Sequence, residues 1–212
     1  MNNDILVYAS QLYLTHKDIK ILKVRDAYSV HRVIYGLFPK YRNEEQTNES
    51  SGILWRDDSG DETGRKILIL SKVMPHQSPQ FGKIKTINVS SHFLNYSSYI
   101  FNLKINPVKR LSLKNGQGHK DQPIISIDDI RTWVLNRSNK NWGFNIINDS
   151  LDITINSTER FIKDTNKIVY NSATLRGSLV VIDTKRFESS FINGIGRGKA
   201  FGFGLLQIVP II

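Results

Sequence analysis

Residues 151–182, LDITINSTERFIKDTNKIVYNSATLRGSLVVI, have the pattern of a long β-hairpin. Apolar and polar side chains alternate over residues 151–160, which is typical of a strand with one buried face. A second β run covers residues 167–182, and Gly177 does not clearly interrupt it. The connecting residues 160–167 include several basic side chains. The stretch therefore predicts two long paired strands with a basic tip.

The segments around this hairpin complete a β-α-β-β-α-β order. A strand is predicted at residues 99–105 and a polar loop at 114–121. A helix is predicted at 127–137, with acidic residues in its first turn, and another at 184–192. The last predicted strand covers residues 205–209.

The first half of the chain predicts a similar order, β-α-β-β-(α)-β. Its helix, at residues 25–38, has one apolar stripe made of Ala27, Val30, Val33, Ile34 and Leu37. The other predicted segments are a strand at 4–14 followed by a polar turn, a loop at 40–50, a hairpin at 52–56 and 66–73, a strand at 83–89, and a short helix or turn at 90–96.

These two orders predict an α+β protein made of two tandem ferredoxin-like, or RRM-like, βαββαβ domains. The chain has 212 residues, enough for two small domains. We place the N-terminal domain at residues 1–97. The C-terminal domain, at 98–212, would carry the basic hairpin and a glycine-rich loop.

Composition excludes several classes of protein. There are no cysteines, so disulfides and cysteine-ligated metal centres cannot form. No run of 18 apolar residues occurs, and the first residues lack a secretory signal. We therefore expect a cytoplasmic protein with no membrane partner.

The charge distribution indicates a polyanionic partner. The net charge is +10, and residues 63–120 hold 10 basic and no acidic side chains. Residues 1–62 have a net charge of −2 and residues 121–212 a net charge of +2. A solvated basic surface is the simpler explanation, but a long segment without carboxylates favours nucleic acid binding.

One face of the helix at residues 25–38 could carry acid–base chemistry. Tyr28 and His31 are three residues apart, and Arg32 lies four residues from Tyr28, so the three share a face outside the apolar stripe. Histidine can transfer protons near neutral pH, and a tyrosine hydroxyl can orient a reacting group. Together they could support RNA cleavage by its own 2′-hydroxyl, without a metal. From the spacing alone, an ordinary exposed His–Tyr pair is the more economical interpretation.

The glycine-rich segment 194–204, GIGRGKAFGFG, suggests close approach of the backbone to phosphates. Too few residues follow for the helix and strand of a dinucleotide-binding unit, and the ending of a P-loop is missing. An ordinary glycine-rich turn remains the alternative. The embedded Arg197 and Lys199 favour contact with an RNA backbone.

No metal centre or serine-nucleophile site is expected. The five histidines are scattered, and no His-Glu-x-x-His motif or nucleophile elbow occurs. The carboxylates at Asp57, Asp58, Asp61 and Glu62 fit a structural turn better than a metal nuclease. We therefore expect no cofactor.

Three segments resemble the CRISPR repeat-processing endoribonuclease of type I-E Cascade systems, the CasE family. Residues 26–39, DAYSVHRVIYGLFP, are similar to its Tyr-x-x-His helix that ends in Leu-Phe-Pro. Residues 101–109, FNLKINPVK, are similar to its strand that ends in Asn-Pro-x-Lys. Residues 194–204 match its G-x-G-x5-G-x-G loop. The order of elements agrees over the whole chain.

The resemblance implies a metal-independent endoribonuclease that binds the stem-loop of a CRISPR repeat transcript. It would cut at the 3′ base of the stem and leave a 2′,3′-cyclic phosphate, giving the mature crRNA. His31 matches the catalytic histidine of the family and Tyr28 its partner tyrosine. Other Cascade subunits would be partners through the crRNA. The residues that we expect to contact RNA are Arg32, Lys109, Arg110, Arg160, Lys163, Lys167, Arg197 and Lys199.

Two other interpretations remain open. The protein could be a non-catalytic subunit that holds an RNA hairpin in a CRISPR effector complex. It could also be a basic assembly protein without RNA specificity. The chemistry of His31 separates the enzyme from the binding subunit.

Overall fold

Two antiparallel sheets organise the protein, whose computed structural model describes residues 5–38, 51–112, 118–163 and 165–212. The predicted loop at 40–50 lies outside the described residues. The first part of the chain contains, in order, β1 (Ile5–Leu14), α1 (His16–Ile21), α2 (Ala27–Tyr35), β2 (Ile53–Asp61), β3 (Gly64–Ser71) and β4 (Lys83–Ser90), followed by a 3₁₀ turn at Ser91–Leu94.

The first sheet has the strand order β2-β3-β1-β4. This is the order of a ferredoxin-like unit, in which the first and third strands lie side by side at the centre. Helix α2 packs on the sheet through Val30 and Ile34, both fully buried. These residues contact a core cluster that includes Leu12, Ile53 and Ile67.

Two details of the first part differ from the prediction. The expected polar turn after β1 is wrong, because α1 begins there with a capping box between Thr15 and Asp18. The second helix of a βαββαβ unit has no counterpart among the described residues between β3 and β4, where residues 72–82 form a connection without a helix. The predicted short helix or turn at 90–96 is the 3₁₀ turn that follows β4.

The second part of the chain repeats the architecture with a more complete set of elements. They are, in order, β5 (Ser98–Ile105), β6 (Val108–Ser112), β7 (His119–Pro123), α3 (Ile127–Arg137), β8 (Phe144–Ile146), β9 (Asp152–Lys163), β10 (Asn166–Val181), α4 (Thr184–Asn193) and β11 (Leu206–Pro210). The second sheet has the order β11-β5-β10-β8, and the long strand β9 also pairs with β10. Together, β11, β5, β10 and β9 have the same ferredoxin-like order as the first sheet.

The β9–β10 hairpin is longer than its pattern suggested. Arg160 was expected at the tip, but it lies within β9 and pairs with Val169. Lys167 lies within β10 and pairs with Ile162. Both predictions of a position at the tip are wrong, since backbone pairing continues as far as Lys163. The two side chains are nevertheless exposed on the outer part of the hairpin.

The predicted polar loop at 114–121 is wrong at its C-terminal end. Strand β7 begins within it and pairs with β6 to form a separate two-stranded hairpin. Residues 113–117 lie outside the described part of the chain. None of the side chains described for this hairpin is fully buried, so hydrophobic patterning did not reveal it.

The largest apolar core extends from the second sheet into the first. Tyr99, Phe101 and Leu103 of β5 are buried in one cluster with Val7 of β1 and Leu54 of β2. Side chains from the two sheets therefore pack together in one core. The division of the chain into two domains between residues 97 and 98 stays a prediction.

Candidate active site

Helix α2 carries Tyr28, His31 and Arg32 on one face, as their spacing in the sequence predicted. Asp26 caps its N-terminus by accepting a hydrogen bond from the backbone amide of Ser29 at 2.8 Å. With the apolar side of the helix against the first sheet, Tyr28, His31 and Arg32 lie on its other side. Tyr28 and His31 are half-buried and Arg32 is exposed.

His31 is held by a backbone carbonyl from the other end of the chain. Its Nδ1 lies 2.9 Å from the carbonyl oxygen of Ala200. A carbonyl can only accept a hydrogen bond, so Nδ1 carries the proton in this contact. The neutral imidazole then has its lone pair on Nε2, which is the nitrogen that can exchange a proton with a ligand.

The same carbonyl oxygen accepts a second hydrogen bond. The indole Nε1 of Trp55, on β2, donates to Ala200 at 3.1 Å. Trp55 is almost completely buried. Ala200 is thereby fixed by two donors from the first half of the chain, and its carbonyl in turn fixes the ring of His31.

Aromatic rings surround the imidazole. The ring centroids of Tyr35 and Phe201 lie 4.0 and 5.6 Å from that of His31. The ring of Tyr28 lies 6.2 Å away and is nearly parallel, with an interplanar angle of 11°. The guanidinium carbon of Arg32 lies 5.7 Å from the centroid of the Tyr28 ring, within the range of a cation–π contact. These contacts restrict the side chains that the proposed chemistry would use.

The glycine-rich segment forms the loop that carries Ala200. Gly202 has φ +86°, and a Cβ on it would lie 2.8 Å from the Trp55 ring. Gly204 has φ +82°, and its Cβ would lie 2.4 Å from the carbonyl oxygen of Ile195. A side chain at either position would clash in a backbone conformation that L residues rarely adopt. The glycines therefore let the loop fold back on itself and approach Trp55 closely.

The two cations of this loop bind within the protein. Lys199 donates from Nζ to the carbonyl oxygen of Asn193, the last residue of α4, at 2.9 Å. Burial lowers the pKa of the Lys199 ammonium. Arg197 forms an ion pair with Asp121 of β7, and its backbone bridges to Asn106. Both residues tie the loop to its surroundings, so contact of either one with RNA stays a prediction.

The other expected RNA-contacting residues are spread over two hairpins. Lys109 and Arg110 are exposed on β6. The neighbouring strand, β7, carries Asp121, which forms the ion pair with Arg197. Arg160 and Lys167 are exposed on the β9–β10 hairpin. The position of the Lys163 side chain lies outside what the structure describes.

The β9–β10 hairpin is connected to the active site by aromatic packing. Phe161, next to Arg160, is buried and its ring lies 4.6 Å from that of Phe201. Phe201 in turn contacts His31. This cluster joins the basic hairpin, the glycine-rich loop and α2.

Among the described residues, no group of three or more His, Cys, Asp or Glu side chains is arranged to hold a metal ion. The described helices are all too short or too polar to cross a membrane.

The model of a protein family described as "CRISPR associated protein" matches residues 7–210. The chain belongs to this family. No curated protein matches the sequence.

Solved structures of CRISPR-associated proteins have the same fold. Cas6e from Escherichia coli K-12 is 19% identical with a TM-score of 0.72, and the match covers 96% of this chain and 100% of that one. Thermus thermophilus Cse3, bound to an RNA representing a pre-cleavage complex, is 19% identical with a TM-score of 0.75 and covers 96% and 99%. A chain of a CRISPR RNA-guided surveillance complex is 18% identical with a TM-score of 0.72 and covers 96% and 100%. The likeness confirms the α+β architecture with tandem ferredoxin-like units.

Several residues of the site in this CRISPR-associated protein were not found from the sequence. The sequence pattern indicates only a strand at Trp55 and a glycine-rich turn at Phe201. Tyr35 lies one turn beyond His31, and that spacing could have included it in the same face. The Ala200 carbonyl is a backbone group and gives no signal in the sequence.

Proposed function

We propose that this protein is a metal-independent endoribonuclease that binds the stem-loop of a CRISPR repeat transcript. It cleaves the precursor at the 3′ base of the stem by attack of the 2′-hydroxyl and so produces mature crRNA. The observation that carries the proposal is the hydrogen bond from His31 Nδ1 to Ala200, which fixes the imidazole on the helix face that also carries Tyr28 and Arg32. The family and the fold support it, since Cse3 with this fold is described as a CRISPR endoribonuclease bound to RNA.

The reaction requires proton transfer and stabilisation of charge. His31 accepts the proton of the 2′-hydroxyl at Nε2 while the oxygen attacks the adjacent phosphorus. The bond from phosphorus to the 5′-oxygen breaks, that oxygen takes up a proton from water, and a 2′,3′-cyclic phosphate remains. Tyr28 orients the reacting groups and Arg32 offsets negative charge on the phosphate. The RNA supplies its own nucleophile, so this route needs no metal.

RNA binding uses the exposed cations on the two hairpins. Arg160, Lys163 and Lys167, which we call the hairpin cations, contact the groove of the stem at its phosphates. A-form RNA has a deep, narrow major groove, so these contacts follow shape and charge more than sequence. Lys109 and Arg110 extend the same role to the β6–β7 hairpin. Lys199 and Arg197 hold the loop that positions His31, and Arg197 is exposed enough to reach a phosphate as well.

The protein would act in the cytoplasm. A chain with this fold occurs in a CRISPR RNA-guided surveillance complex. Other Cascade subunits are therefore the expected partners, joined through the crRNA.

Cleavage of the cognate repeat RNA in EDTA tests the proposal. His31→Ala should slow single-turnover cleavage by at least about 100-fold, since general acid–base catalysis contributes about 10²–10⁴. Its affinity for RNA should change by no more than a few-fold. His92→Ala, at an exposed histidine on the 3₁₀ turn, is the matched control and should cleave normally.

A substrate with 2′-deoxyribose before the cut should not be cleaved, because it lacks the nucleophile. If the wild-type protein binds the repeat but never cuts it, the non-catalytic subunit is the correct interpretation. If the deoxy substrate is cut, or if His31→Ala cleaves at the normal rate, the mechanism is wrong.

A further inference from the structure

The hydrogen bond between His31 and Ala200 fixes one nitrogen of the imidazole but not the plane of its ring. Nδ1 lies 2.9 Å from the Ala200 carbonyl oxygen. A hydrogen bond keeps most of its strength over angles from about 150° to 180°, so the ring can tilt without losing this contact. The torsion that turns a histidine ring is also broad. Catalytic groups have to be held within about 10–20° of the productive orientation, so His31 needs a second support.

The ring of Tyr35 supplies this support. Its centroid lies 4.0 Å from that of His31, with an angle of 36° between the two planes. Aromatic rings in proteins usually pack with their centroids about 4.5–7 Å apart. The Tyr35 ring therefore lies in direct contact with the imidazole and limits its tilt. The ring of Phe201, 5.6 Å away, is the next closest of the rings described around His31.

Tyr35 is itself held at its hydroxyl group. It is the last residue of α2, and helix ends fray more easily than helix centres. The Tyr35 hydroxyl oxygen lies 2.6 Å from Oγ of Ser51, which precedes β2 in the chain. Ser51 Oγ also accepts a hydrogen bond from the backbone amide of Ile53, the first residue of β2, at 3.4 Å. These two contacts tie the Tyr35 ring to the start of a strand in the first sheet.

Both supports of His31 therefore originate at β2. Trp55 on this strand donates to the Ala200 carbonyl, which holds Nδ1 of the imidazole. Ser51, just before the strand, holds Tyr35 against the imidazole ring. The first chain of contacts fixes a nitrogen, and the second limits the plane. Since they act on different motions of one ring, neither can replace the other.

We infer that Tyr35, held by Ser51, is a positioning residue that keeps the His31 imidazole in the plane required for proton transfer. The Tyr35 hydroxyl is engaged with Ser51, so the residue acts through His31 and not on the RNA. The inference rests on the proposed function, which makes His31 the group that accepts the proton. It predicts a slower chemical step with unchanged RNA binding.

Four variants separate the ring of Tyr35 from its hydroxyl bond. Tyr35→Leu removes the ring and keeps an apolar side chain. Tyr35→Phe and Ser51→Ala remove the same hydrogen bond from opposite sides and keep the ring, and the fourth variant combines them. Tyr8→Leu is the matched control, because Tyr8 is a half-buried tyrosine on β1. Cleavage is measured in single turnovers at saturating protein, and affinity with a repeat RNA that carries 2′-deoxyribose at the nucleophilic position.

Tyr35→Leu should slow cleavage by about tenfold or more, because the contribution of acid–base catalysis, about 10²–10⁴, depends on the orientation of the ring. Tyr35→Phe, Ser51→Ala and the double variant should all be slower by one common factor, about two- to tenfold, since each lacks the same neutral hydrogen bond. RNA affinity should not change in any of them, and Tyr8→Leu should cleave like the wild type.

Two further measurements exclude a merely structural role. In a His31→Ala background, Tyr35→Leu should slow the residual cleavage no further, because no imidazole is left to position. In ¹⁵N NMR spectra, Ser51→Ala should broaden the signals of the His31 ring, since both rings remain and only the support of Tyr35 is lost.

Cleavage by Tyr35→Leu as fast as by Tyr8→Leu would overturn the inference, as would an equal slowing in the His31→Ala background. Weaker RNA binding by Tyr35→Leu with an unchanged rate would show that Tyr35 contacts the RNA, which also overturns it. If the wild-type protein does not cut at all, the proposed enzyme is refuted. The NMR comparison then decides the positioning alone, and His31 signals that are the same in Ser51→Ala and in the wild type would refute it.

Discussion

Replacing Trp55 by Phe tests whether the Ala200 carbonyl positions His31. The change removes the indole N–H that donates to Ala200 at 3.1 Å and keeps an aromatic ring in a buried site. It removes a donor, so no buried donor is left without a partner. Ala200 then accepts only from His31, and the carbonyl loses one of its two constraints.

The size of the effect follows from the value of one hydrogen bond. A neutral hydrogen bond contributes about 0.5–1.5 kcal/mol net. If that energy serves to orient the imidazole, its loss slows the chemical step by about two- to tenfold. RNA affinity should not change, since Trp55 is buried and the hairpin cations are untouched. The smaller ring also leaves a void, so the free energy of unfolding should fall by about 1–3 kcal/mol.

Single-turnover cleavage at saturating protein measures the chemical step, and ¹⁵N NMR of the His31 ring reports its tautomer. The wild-type spectrum should show a protonated Nδ1, and Trp55→Phe should show a broadened or mixed state. Trp142→Phe is the matched control, because Trp142 is also a buried tryptophan, and its ring packs against Trp133 and Phe144. Cleavage by Trp55→Phe as fast as by Trp142→Phe, with an unchanged His31 spectrum, would refute the reasoning.

Three further predictions concern the loop, the RNA-binding hairpin and pH. Gly202→Ala should lower the free energy of unfolding, measured by denaturant titration, by about 2–4 kcal/mol and should slow cleavage, because strain at positive φ adds to a clash with Trp55. Gly196→Ala is the control: its Cβ would have open space, so the free energy of unfolding should fall by only about 1–2 kcal/mol. Changing the hairpin cations to Ala should weaken binding of the stem in filter-binding assays and leave the melting temperature unchanged, and unaltered affinity would place the binding surface elsewhere. Hydrogen bonds from the side chain and the backbone amide of Thr15 lower the pKa of Asp18, so the stability they add is complete above the unfolded pKa, about 3.9, and is lost as the pH falls through the lower folded pKa. Thr15→Ala removes the side-chain bond and keeps the backbone bond, so it should reduce this part of the acid sensitivity of the unfolding midpoint.

Hydrophobic patterning predicted most of the fold because most elements have a buried face. The stripe of α2 and the alternation in β9 each place apolar residues on one side, and both elements occur where the pattern indicated. Helix α1 was missed since none of its residues is fully buried. Its Thr15–Asp18 capping box was nevertheless visible in the sequence as a threonine three residues before an aspartate.

The candidate site could be predicted only as far as local spacing extends. Tyr28, His31 and Arg32 lie on one helical turn, so their proximity follows from the sequence alone. The partner of His31 is Ala200, which is 169 residues away and contributes a carbonyl rather than a side chain. No residue type marks such a group. The loop was expected to touch phosphates, whereas Lys199 and Arg197 are engaged within the protein.

The arrangement makes packing between the two halves of the chain a requirement for the proposed chemistry. Tyr28, His31 and Trp55 come from the first half, while Ala200 and Phe201 come from the second. The apolar contacts that unite the sheets, such as Leu54 and Val7 in the core of the second sheet, keep these groups together. A change that loosens this packing would release His31 from its carbonyl before either sheet lost its own hydrogen bonds. Activity should therefore be more sensitive than secondary structure to substitutions between the sheets.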